Sequence, residues 1–545
     1  MCAKARKEGI RMKHFKKLNV PEWVTAGAAF IYYIIMALYK LAYAPIWQDE
    51  AMEFYCSLPV KGPIRGVTEY ADMYERIAGI QQQPPLYNWI MCIWLQVSEN
   101  EWWYRFSSVV MGFAAALGLY CVIRKMCSRY AAALSVIIFS SIYIIMYYIK
   151  EASEYAMLLM FMFWLIYVYM LICEKAAANK LVIFTILCVL SVYTHYGAVF
   201  AVVPMAASVL IALAMQKDWG KFKAMLCADI AVALFFGIPL LLLFLMPQSK
   251  NPVSSLSSNK EIIIENGSLI GDFFFSIASV FRWCVLDIDR DTEKIGIIVD
   301  LLGIVIFAII IFVVIKTKKK GIRPFFWCNV AVFMFYYIVT KLNLYAYGWY
   351  GNRYSMFIFP MWFVMITVAL YEFVVIIRQS DRKIMIRAAA VIQCAMLAAS
   401  VLYCMYGDYR VSCHWWKMDL RAIVDRWYKE EGYKAPTLVD YHQRYAFTYY
   451  FTHNALYDET QWENVSWNDD IEPDSADSAG VWQKYIYETY DGELPDELYF
   501  VTGKYNEFVE AFEKLGYDAD DEVDTTAKLY HMVYNPDKPQ ILEIE

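Results

Sequence analysis

Apolar segments of helical length alternate with short polar stretches along most of this chain. They recur between about residues 22 and 406, and many reach the ~20 residues that a helix needs to cross a bilayer. The clearest predicted spans lie at 22–44, 225–246, 297–315, 324–342, 353–377 and 388–406. We therefore predict an α-helical polytopic membrane protein with about 11–13 transmembrane helices.

One apolar segment, 84–97, does not fit this alternation. It has only 14 residues, it begins with Pro84 and Pro85, and its two flanks are predicted on the same side of the membrane. Because so short a helix cannot cross the hydrocarbon core, a re-entrant or interfacial helix is the better prediction. If the segment did cross, the sidedness of the next few loops would be open.

Basic loops set the orientation of the predicted spans. Lys and Arg cluster at 217–223, 316–323 and 378–387, and residues 1–17 hold seven basic residues and one acidic residue. Such loops stay on the cytoplasmic side. The predicted organisation is a cytoplasmic basic segment 1–21, a membrane region 22–406 with extracytoplasmic loops 45–83 and 247–296, and an extracytoplasmic acidic domain 407–545.

Composition supports this organisation and adds a charge asymmetry. The chain is 60% hydrophobic with a mean hydropathy of +0.36, well above that of a soluble protein. Its net charge is −6, but residues 458–545 hold 24 acidic and five basic residues, so this tail carries −19 and the remainder +13.

We expect no nucleic-acid partner. Most of the 13 cysteines lie in apolar segments, so no disulfide framework is predicted.

The tail after residue 407 has the pattern of a small α/β domain. Strands are predicted at 435–440, 497–501 and 528–534, and a helix at 505–515 that ends before Gly516. The tail contains no P-loop, GxGxxG or DxD motif, so nothing in it predicts nucleotide binding.

Polar residues at the ends of the predicted spans fall on one face of the membrane. They come from widely separated parts of the sequence, and the shared level predicts that they line one external cavity. The set is Asp49, Glu50, Gln83, Lys150, Glu151, Tyr155, His195 and Arg353.

Adjacent acids, Asp49 and Glu50, follow the first span directly. Charge beside a low-dielectric region is costly, which favours a functional role. Neighbouring residues on a helix point about 100° apart, so one carboxylate would face the reacting centre as a general base. The other would orient a neighbour or a metal ion. The alternative is a pair of solvated acids at a helix end.

Two further motifs place polar groups at the same level. Gln83 precedes the Pro-Pro helix start, and the prolines alone do not explain glutamines at membrane depth. Lys150 and Glu151 lie between two spans, where they would pair with each other or face the cavity. The alternative for this Lys-Glu pair is a solvated loop.

His195 and Arg353 complete the predicted cavity. His195, in Tyr-Thr-His-Tyr, is not part of a zinc spacing, so hydrogen bonding is favoured and metal binding stays a minor alternative. The Arg353 fork at the outer end of a span suits a lipid phosphate. Its alternative is a snorkelling arginine beside the aromatic residues of 345–350.

The order of these motifs resembles that of the GT-C superfamily of membrane glycosyltransferases. The sequence runs from the acidic pair Asp49-Glu50 through Pro84-Pro-Leu-Tyr, Glu151-Ala-x-x-Tyr and Thr194-His-Tyr to Arg353-Tyr-x-x-x-x-x-Pro. It is similar to bacterial proteins of the protein O-mannosyltransferase and lipid A aminoarabinose transferase type, over roughly residues 22–430.

The resemblance implies a polyprenyl-phosphate-linked sugar as donor and chemistry on the outer face of the cell membrane. Asp49 would be the base that deprotonates an acceptor hydroxyl, Glu50 would position it or a metal, and Arg353 would hold the lipid phosphate. The implied substrate-binding residues are Gln83, Lys150, Glu151, Tyr155, His195, Arg353 and Tyr354. Family members often have His or a charged residue at position 83 and Arg at position 153, where this chain has Gln83 and Ser153; Lys150 would supply the missing positive charge.

The predicted function is therefore transfer of a sugar to a hydroxyl of a glycan, lipid or protein acceptor, with inversion at the anomeric carbon. No cofactor is required by this prediction, and a divalent metal ion stays an open alternative. Within the enzyme class, an oligosaccharide ligase or polymerase of similar architecture is an alternative. Two other classes remain: a transporter or flippase of lipid-linked sugars, and a non-catalytic envelope scaffold whose acidic tail binds a partner. Membrane lipids are expected neighbours in every case. A transporter predicts internal repeats and broken helices at the midplane, and the sequence has no clear repeat.

Overall fold

A computed structural model describes most of the chain between residues 21 and 538. The breaks longer than three residues are 59–72, 251–292, 346–352, 414–418, 468–482 and 522–526, with shorter ones at 320, 343, 380–381, 441–442, 485, 488, 491–493 and 504–506. The predicted cytoplasmic segment 1–21 lies almost wholly outside the described residues. The same is true of most of the aromatic stretch 345–350 and of much of two predicted loops, 45–83 and 247–296.

Helices dominate up to residue 429. In chain order they are α1 Glu22–Leu38, α2 Gln48–Ser57, α3 Met73–Gly79, α4 Leu86–Trp94, α5 Glu101–Met126, α6 Arg129–Ser141, α7 Tyr143–Ile149, α8 Tyr155–Glu174, α9 Ala178–Thr194, α10 Val199–Met215, α11 Trp219–Ser249, α12 Glu293–Lys316, α13 Ile322–Lys341, α14 Ile358–Arg378, α15 Lys383–Cys413 and α16 Leu420–Lys429.

Many of these helices are apolar and long enough to cross a membrane. Within the described residues, seven single helices qualify, α6 and α7 form one further pair bent by 75°, and three more apolar helices are shorter. These segments are in line with the lower end of the predicted number, and the protein is a multi-pass membrane protein. The α15 helix continues to Cys413, past the predicted end of the membrane region at residue 406.

The predicted non-spanning segment 84–97 holds a single short helix. It is α4, which has nine residues and follows Pro84 and Pro85. At 1.5 Å per residue it extends about 14 Å, roughly half of a bilayer core. The helix is therefore too short to cross, in agreement with the prediction from the sequence.

Side-chain caps and close packing fix the central helices. Asn100 and Ser128 each accept a hydrogen bond from the first turn of the helix that follows, α5 and α6 respectively. Helix α5 packs along α8. At Gly112 in α5 a Cβ atom would lie 2.3 Å from the Tyr33 hydroxyl, so only glycine allows α1 this close.

Burial separates inner from outer helices. In α5, α8 and α14, 67% of the most apolar window is buried, against 11% in α11 and 6% in α15. An apolar helix exposed on nearly all sides suits a lipid neighbour. The bundle therefore places α5, α8 and α14 at its centre and α11 and α15 at its edge.

The tail forms a small sheet with helices. Its strands and helices are β1 Thr437–Val439, α17 Arg444–Thr452, β2 Val465–Trp467, β3 Glu497–Thr502, α18 Glu507–Lys514, β4 Tyr517–Asp521 and β5 Lys528–Tyr534. The five strands are ordered β2-β1-β3-β5-β4, with β1 parallel to β2 and β3, and β5 antiparallel to β3 and β4.

Helix α17 joins the tail to the membrane region. The Tyr445 amide donates to Gln48 Oε1 at 3.2 Å, and the Tyr449 hydroxyl donates to the Glu99 carbonyl at 3.0 Å. The rings of Phe54 and Tyr449 pack edge to face at 5.1 Å. Helix α2, which carries the two adjacent acids, is thereby held between the helical bundle and the tail.

Candidate functional site

A cavity that is partly open to solvent lies where α2, the turn before α4 and the α7–α8 connection meet the α9–α10 junction and the start of α14. Seven of the predicted site residues line it: Asp49, Gln83, Glu151, Tyr155, His195, Arg353 and Tyr354. Residues far apart in sequence thus share one cavity, while their roles remain predictions.

Asp49 and Arg353 form an ion pair in this cavity. Arg353 Nη1 lies 2.6 Å from Asp49 Oδ2, and the two side chains are 34% and 36% exposed. Arg353 also stacks on the Tyr354 ring, with 5.1 Å from Cζ to the centroid, and donates to its hydroxyl at 3.2 Å. Burial is the largest single effect and lowers the pKa of Arg353, but Asp49 and the tyrosines around it, among them Tyr155, together outweigh burial and shift this pKa upward. A carboxylate and a cation therefore meet in the lining of one cleft.

Glu50 points away from the cavity into the protein. Its side chain is fully buried, and Arg105 holds both carboxylate oxygens, with Nε–Oε1 at 2.8 Å and Nη2–Oε2 at 2.7 Å. The Ala152 amide donates to Oε1 at 3.0 Å. The predicted catalytic carboxylate thus ties α2 to α5 and to the α7–α8 connection, so its geometry is that of a structural ion pair.

Lys150 is also outside the cavity lining. It is 3% exposed, donates to the Tyr39 carbonyl at 2.7 Å and lies over the Tyr39 ring. Burial lowers the pKa of Lys150 to about 7, and the charge of Lys40 acts in the same direction. The structure therefore does not bring Lys150 to the position of the positive charge expected near Ser153.

His195 lines the cavity as a neutral imidazole. Its Nδ1 accepts from the Gly197 amide at 3.1 Å, so the ring carries its proton on Nε2. Burial lowers the pKa of His195 to about 4. A Cβ atom at Gly197 would lie 2.8 Å from the Tyr345 hydroxyl, so this close turn requires glycine.

Reasoning from the sequence missed two acids in the lining, Glu53 and Glu154. Glu53 is one turn after Asp49 on α2, and helical periodicity could have identified it because residues i and i+4 share a face. Glu53 accepts from Asn88 Nδ2 at 2.9 Å. Glu154 is fully buried and lies beside Gln83 and Tyr155, which favour its charged form less strongly than burial disfavours it. Burial raises the pKa of both, that of Glu53 to about 8, and the charge of Glu53 adds to the effect on Glu154.

The acids of this cavity are not arranged as a metal site. Over the part of the chain that the structure describes, no group of three or more His, Cys, Asp or Glu side chains is placed to hold a metal ion. The lining residues therefore do not fit a divalent metal ion.

The raised pKa of Glu53 predicts a pH-dependent stability. The folded state binds the proton more tightly than the unfolded state, whose pKa is near the ordinary 4.5, so stability falls as pH rises from 4.5 to about 8. The effect is of the order of a few kcal/mol at most. We expect Glu53→Gln to remove part of this fall. Thermal unfolding of both proteins in detergent from pH 5 to 9 measures it, and identical pH profiles would contradict the assignment.

The fold and the cavity define a polytopic membrane protein with an acid–arginine site at the level where several helices begin or end. Residues 82–242 match the family model described as dolichyl-phosphate-mannose-protein mannosyltransferase. No curated protein matches the sequence.

Solved structures extend the comparison to nearly the whole chain. ArnT from Cupriavidus metallidurans bound to undecaprenyl phosphate is 12% identical, with 93% of this chain and 97% of that chain covered and a TM-score of 0.52. Its apo state gives a TM-score of 0.53 at the same identity and coverage. The oligosaccharyltransferase of Archaeoglobus fulgidus is 12% identical over 93% of this chain and 72% of that chain, with a TM-score of 0.47.

The likeness to ArnT establishes the fold, and the family model adds a sequence match over part of the membrane region. The resemblance to the GT-C superfamily of membrane glycosyltransferases is therefore confirmed. The predicted fold class, an α-helical polytopic membrane protein with a small C-terminal sheet region, is confirmed as well.

Proposed function

We propose that this protein transfers a sugar from a polyprenyl-phosphate donor to a hydroxyl acceptor at the outer face of the cell membrane. The observation that carries the proposal is the Asp49–Arg353 ion pair in the cavity, 2.6 Å between Oδ2 and Nη1. Such a transfer needs a base for the incoming hydroxyl and a cation for the departing phosphate, close together at a membrane surface. The pair supplies both.

Arg353 and Asp49 have different roles when the donor binds: Arg353 binds the phosphate and Asp49 accepts the proton. The donor phosphate is the stronger partner for a guanidinium fork, so it draws Arg353 away from the carboxylate. Asp49 is then free to accept a proton from the acceptor hydroxyl. The freed acceptor oxygen attacks the anomeric carbon, and the bond from that carbon to the phosphate oxygen breaks with its electron pair going to the phosphate. A single displacement of this kind inverts the anomeric configuration.

Arg353 stabilises the negative charge that develops on the phosphate. It is already oriented by stacking on Tyr354, so little reorganisation is needed as the charge forms. Only partial exposure of the pair, about a third for each side chain, keeps the local dielectric constant below that of water and strengthens the interaction. The resulting polyprenyl phosphate leaves along the membrane.

The membrane location of the protein supports a lipid-linked donor, and the charges of its loops support reaction at the outer face. A polyprenyl chain is held in the bilayer, so its phosphate lies where the spans end. This choice of donor is supported by the similar structure of ArnT from C. metallidurans, which is bound to undecaprenyl phosphate. The outward orientation rests on the basic loops at 217–223, 316–323 and 378–387, which belong on the cytoplasmic side. The acceptor would be a glycan, a lipid or a protein.

Mass spectrometry of lipid-linked sugars in cells with and without the gene tests this proposal. We expect one polyprenyl-phosphate sugar to accumulate in the cells without the gene, and one envelope glycan to lose the corresponding residue. The accumulated lipid should be sensitive to membrane-impermeant periodate on intact cells or spheroplasts, because it waits on the outer leaflet.

Two outcomes would contradict the proposal. Unchanged lipid-linked sugars and unchanged glycans would remove the enzyme assignment and favour a scaffold. Accumulation of a lipid-linked sugar that periodate cannot reach would place the block at translocation and favour a flippase.

A further inference from the structure

The C-terminal part of helix α11 departs from regular α-helical geometry. Two stretches, Ala233–Gly237 and Leu241–Leu245, are π-helical, with backbone amides that donate to the carbonyl five residues back. Such wide turns each insert one residue and are frequent at functional sites. Two inserted residues rotate everything after them by roughly half a turn relative to a continuous α-helix. The side chain of Gln248 therefore points in a direction that an unbroken α-helix would not give it.

Tyrosine hydroxyls from two other helices bind carbonyls of these stretches. The Tyr193 hydroxyl, at the end of α9, donates to the Phe236 carbonyl at 2.9 Å, and the Tyr74 hydroxyl, in α3, donates to the Leu243 carbonyl at 3.1 Å. Leu243 is four residues before Pro247, which has no N–H to donate, so its carbonyl lacks the usual α-helical partner. The two tyrosines thus stabilise α11 in its irregular form.

Gln248, at the end of α11, joins two parts of the cavity lining. Its side chain is fully buried. Its Oε1 accepts from the Tyr196 hydroxyl at 2.8 Å, and its Nε2 donates to the Gln83 carbonyl at 2.9 Å and to the Ile77 carbonyl at 3.1 Å. Tyr196 belongs to the α9–α10 junction and Gln83 to the turn before α4, and both line the cavity. We call that junction and that turn the cavity walls.

We propose that Gln248 is a positioning residue of the site, and that Tyr74 and Tyr193 hold it in place through α11. This inference rests on the proposed function and adds a means by which a largely exposed, apolar helix sets the shape of the cavity. With the cavity walls joined, the cavity has the form that accepts the donor phosphate. Without Gln248 this form is populated for a smaller fraction of the time, and the apparent affinity falls by that fraction. Asp49 and Arg353 are not altered.

The test applies two measurements to variants of the full-length protein in nanodiscs. The first is the affinity for undecaprenyl phosphate, and the second is hydrogen–deuterium exchange without any ligand. We expect Gln248→Leu to bind the lipid about tenfold more weakly, as for one to three lost hydrogen bonds. Exchange should become faster in the amides of the cavity walls, 77–83 and 196–200.

A milder variant, Tyr74→Phe with Tyr193→Phe, covers the case in which Gln248→Leu does not fold. It keeps Gln248 but removes two bonds that hold α11. We expect faster exchange in residues 233–249 and an affinity about threefold lower. Adding Pro247→Ala to Tyr74→Phe should restore the affinity, because alanine supplies the backbone N–H that the Leu243 carbonyl lacks.

Tyr33→Phe is the matched control. The Tyr33 hydroxyl donates to the Val109 carbonyl at 2.9 Å, the same kind of bond between two helices, and neither residue lines the cavity. This variant should have a lower melting temperature but an unchanged affinity and unchanged exchange in the cavity walls. A purely structural role for Gln248 predicts that same pattern for Gln248→Leu.

Three results would overturn the inference. One is wild-type affinity in folded Gln248→Leu, and another is a failure of Pro247→Ala to restore Tyr74→Phe. The third is an equal loss of affinity in Tyr33→Phe, which would show a general effect of packing. The proposed function fails separately, if the wild-type protein does not bind undecaprenyl phosphate. In that event the exchange of the cavity walls still decides whether Gln248 positions them.

Discussion

Asp49→Asn is expected to abolish glycosyl transfer while the protein stays folded. Asparagine has nearly the shape of aspartate but cannot take a proton from the acceptor hydroxyl. Loss of a general base typically lowers the rate by about 10²–10⁴-fold. The cost in stability is small, at most about 1 kcal/mol, because Asp49 and Arg353 are each about one-third exposed and such pairs contribute little. Transfer from the donor lipid to envelope acceptor, measured with purified protein, gives the rate.

Donor binding distinguishes a lost base from a damaged site. In the wild-type protein the incoming phosphate must draw Arg353 away from Asp49. In Asp49→Asn that competing carboxylate is gone, so the affinity for undecaprenyl phosphate should stay equal or rise. Slow transfer together with undiminished lipid binding is the signature of the base.

Asp218→Asn is the matched control. Asp218 is 34% exposed and pairs with Lys221, which resembles the exposure and partner of Asp49, but it begins α11 away from the cavity. We expect its transfer rate to equal that of the wild type. Full activity of Asp49→Asn at normal expression would eliminate Asp49 as the base and would require another acid of the lining in its place.

Much of the site could be predicted because membrane topology determines the depth of each residue in the membrane. The basic loops and apolar spans placed Asp49, Gln83, His195 and Arg353 at one level although they are far apart in sequence. Residues at one level around a bundle converge where the helix ends meet. That is where the structure has its cavity, with these residues in its lining.

The direction in which each side chain points could not be predicted in the same way. Depth says nothing about whether a side chain faces a cleft or a neighbouring helix, so Glu50 and Lys150 were grouped with the cavity residues. Their directions depend on the Arg105 guanidinium and the Tyr39 carbonyl, which come from other elements of the bundle. Glu154 was missed for the same reason, since a loop of mixed polar residues has no period that distinguishes its faces.

The tail illustrates the corresponding limit for strands. The predicted strand at 528–534 coincides with β5, because its length and alternation are those of a half-buried strand. The edge strands β2 and β4 were not predicted. β2 has only three residues, and β4 reads Tyr-Asp-Ala-Asp-Asp, an acidic sequence that disfavours a strand until pairing with β5 imposes one.

The ion pair of Glu50 and Arg105 should dominate stability. Both side chains are almost completely buried, and Arg105 also donates to the Pro45 carbonyl at 2.9 Å and to Glu101 at 2.7 Å. Removing Arg105 leaves the buried Glu50 without a cation, which costs about 3–5 kcal/mol, and removing Glu50 leaves Arg105 with Glu101 as its remaining acid partner. We expect Glu50→Leu and Arg105→Met each to lower the yield of folded protein severely. Fluorescence-detected gel filtration after a temperature ramp measures the loss.

The double variant then separates a structural from a chemical role for Glu50. With both charges gone, no unpaired ion remains, so Glu50→Leu with Arg105→Met should be more stable than either single variant. If Glu50 acts by holding α2 against α5, the folded fraction of the double variant should recover transfer activity along with stability. If Glu50 takes part in the reaction, stability should return without activity. Both carboxylate oxygens of Glu50 are bound by Arg105, and Glu50 is not part of the cavity lining. We therefore expect stability and transfer activity to return together in the double variant.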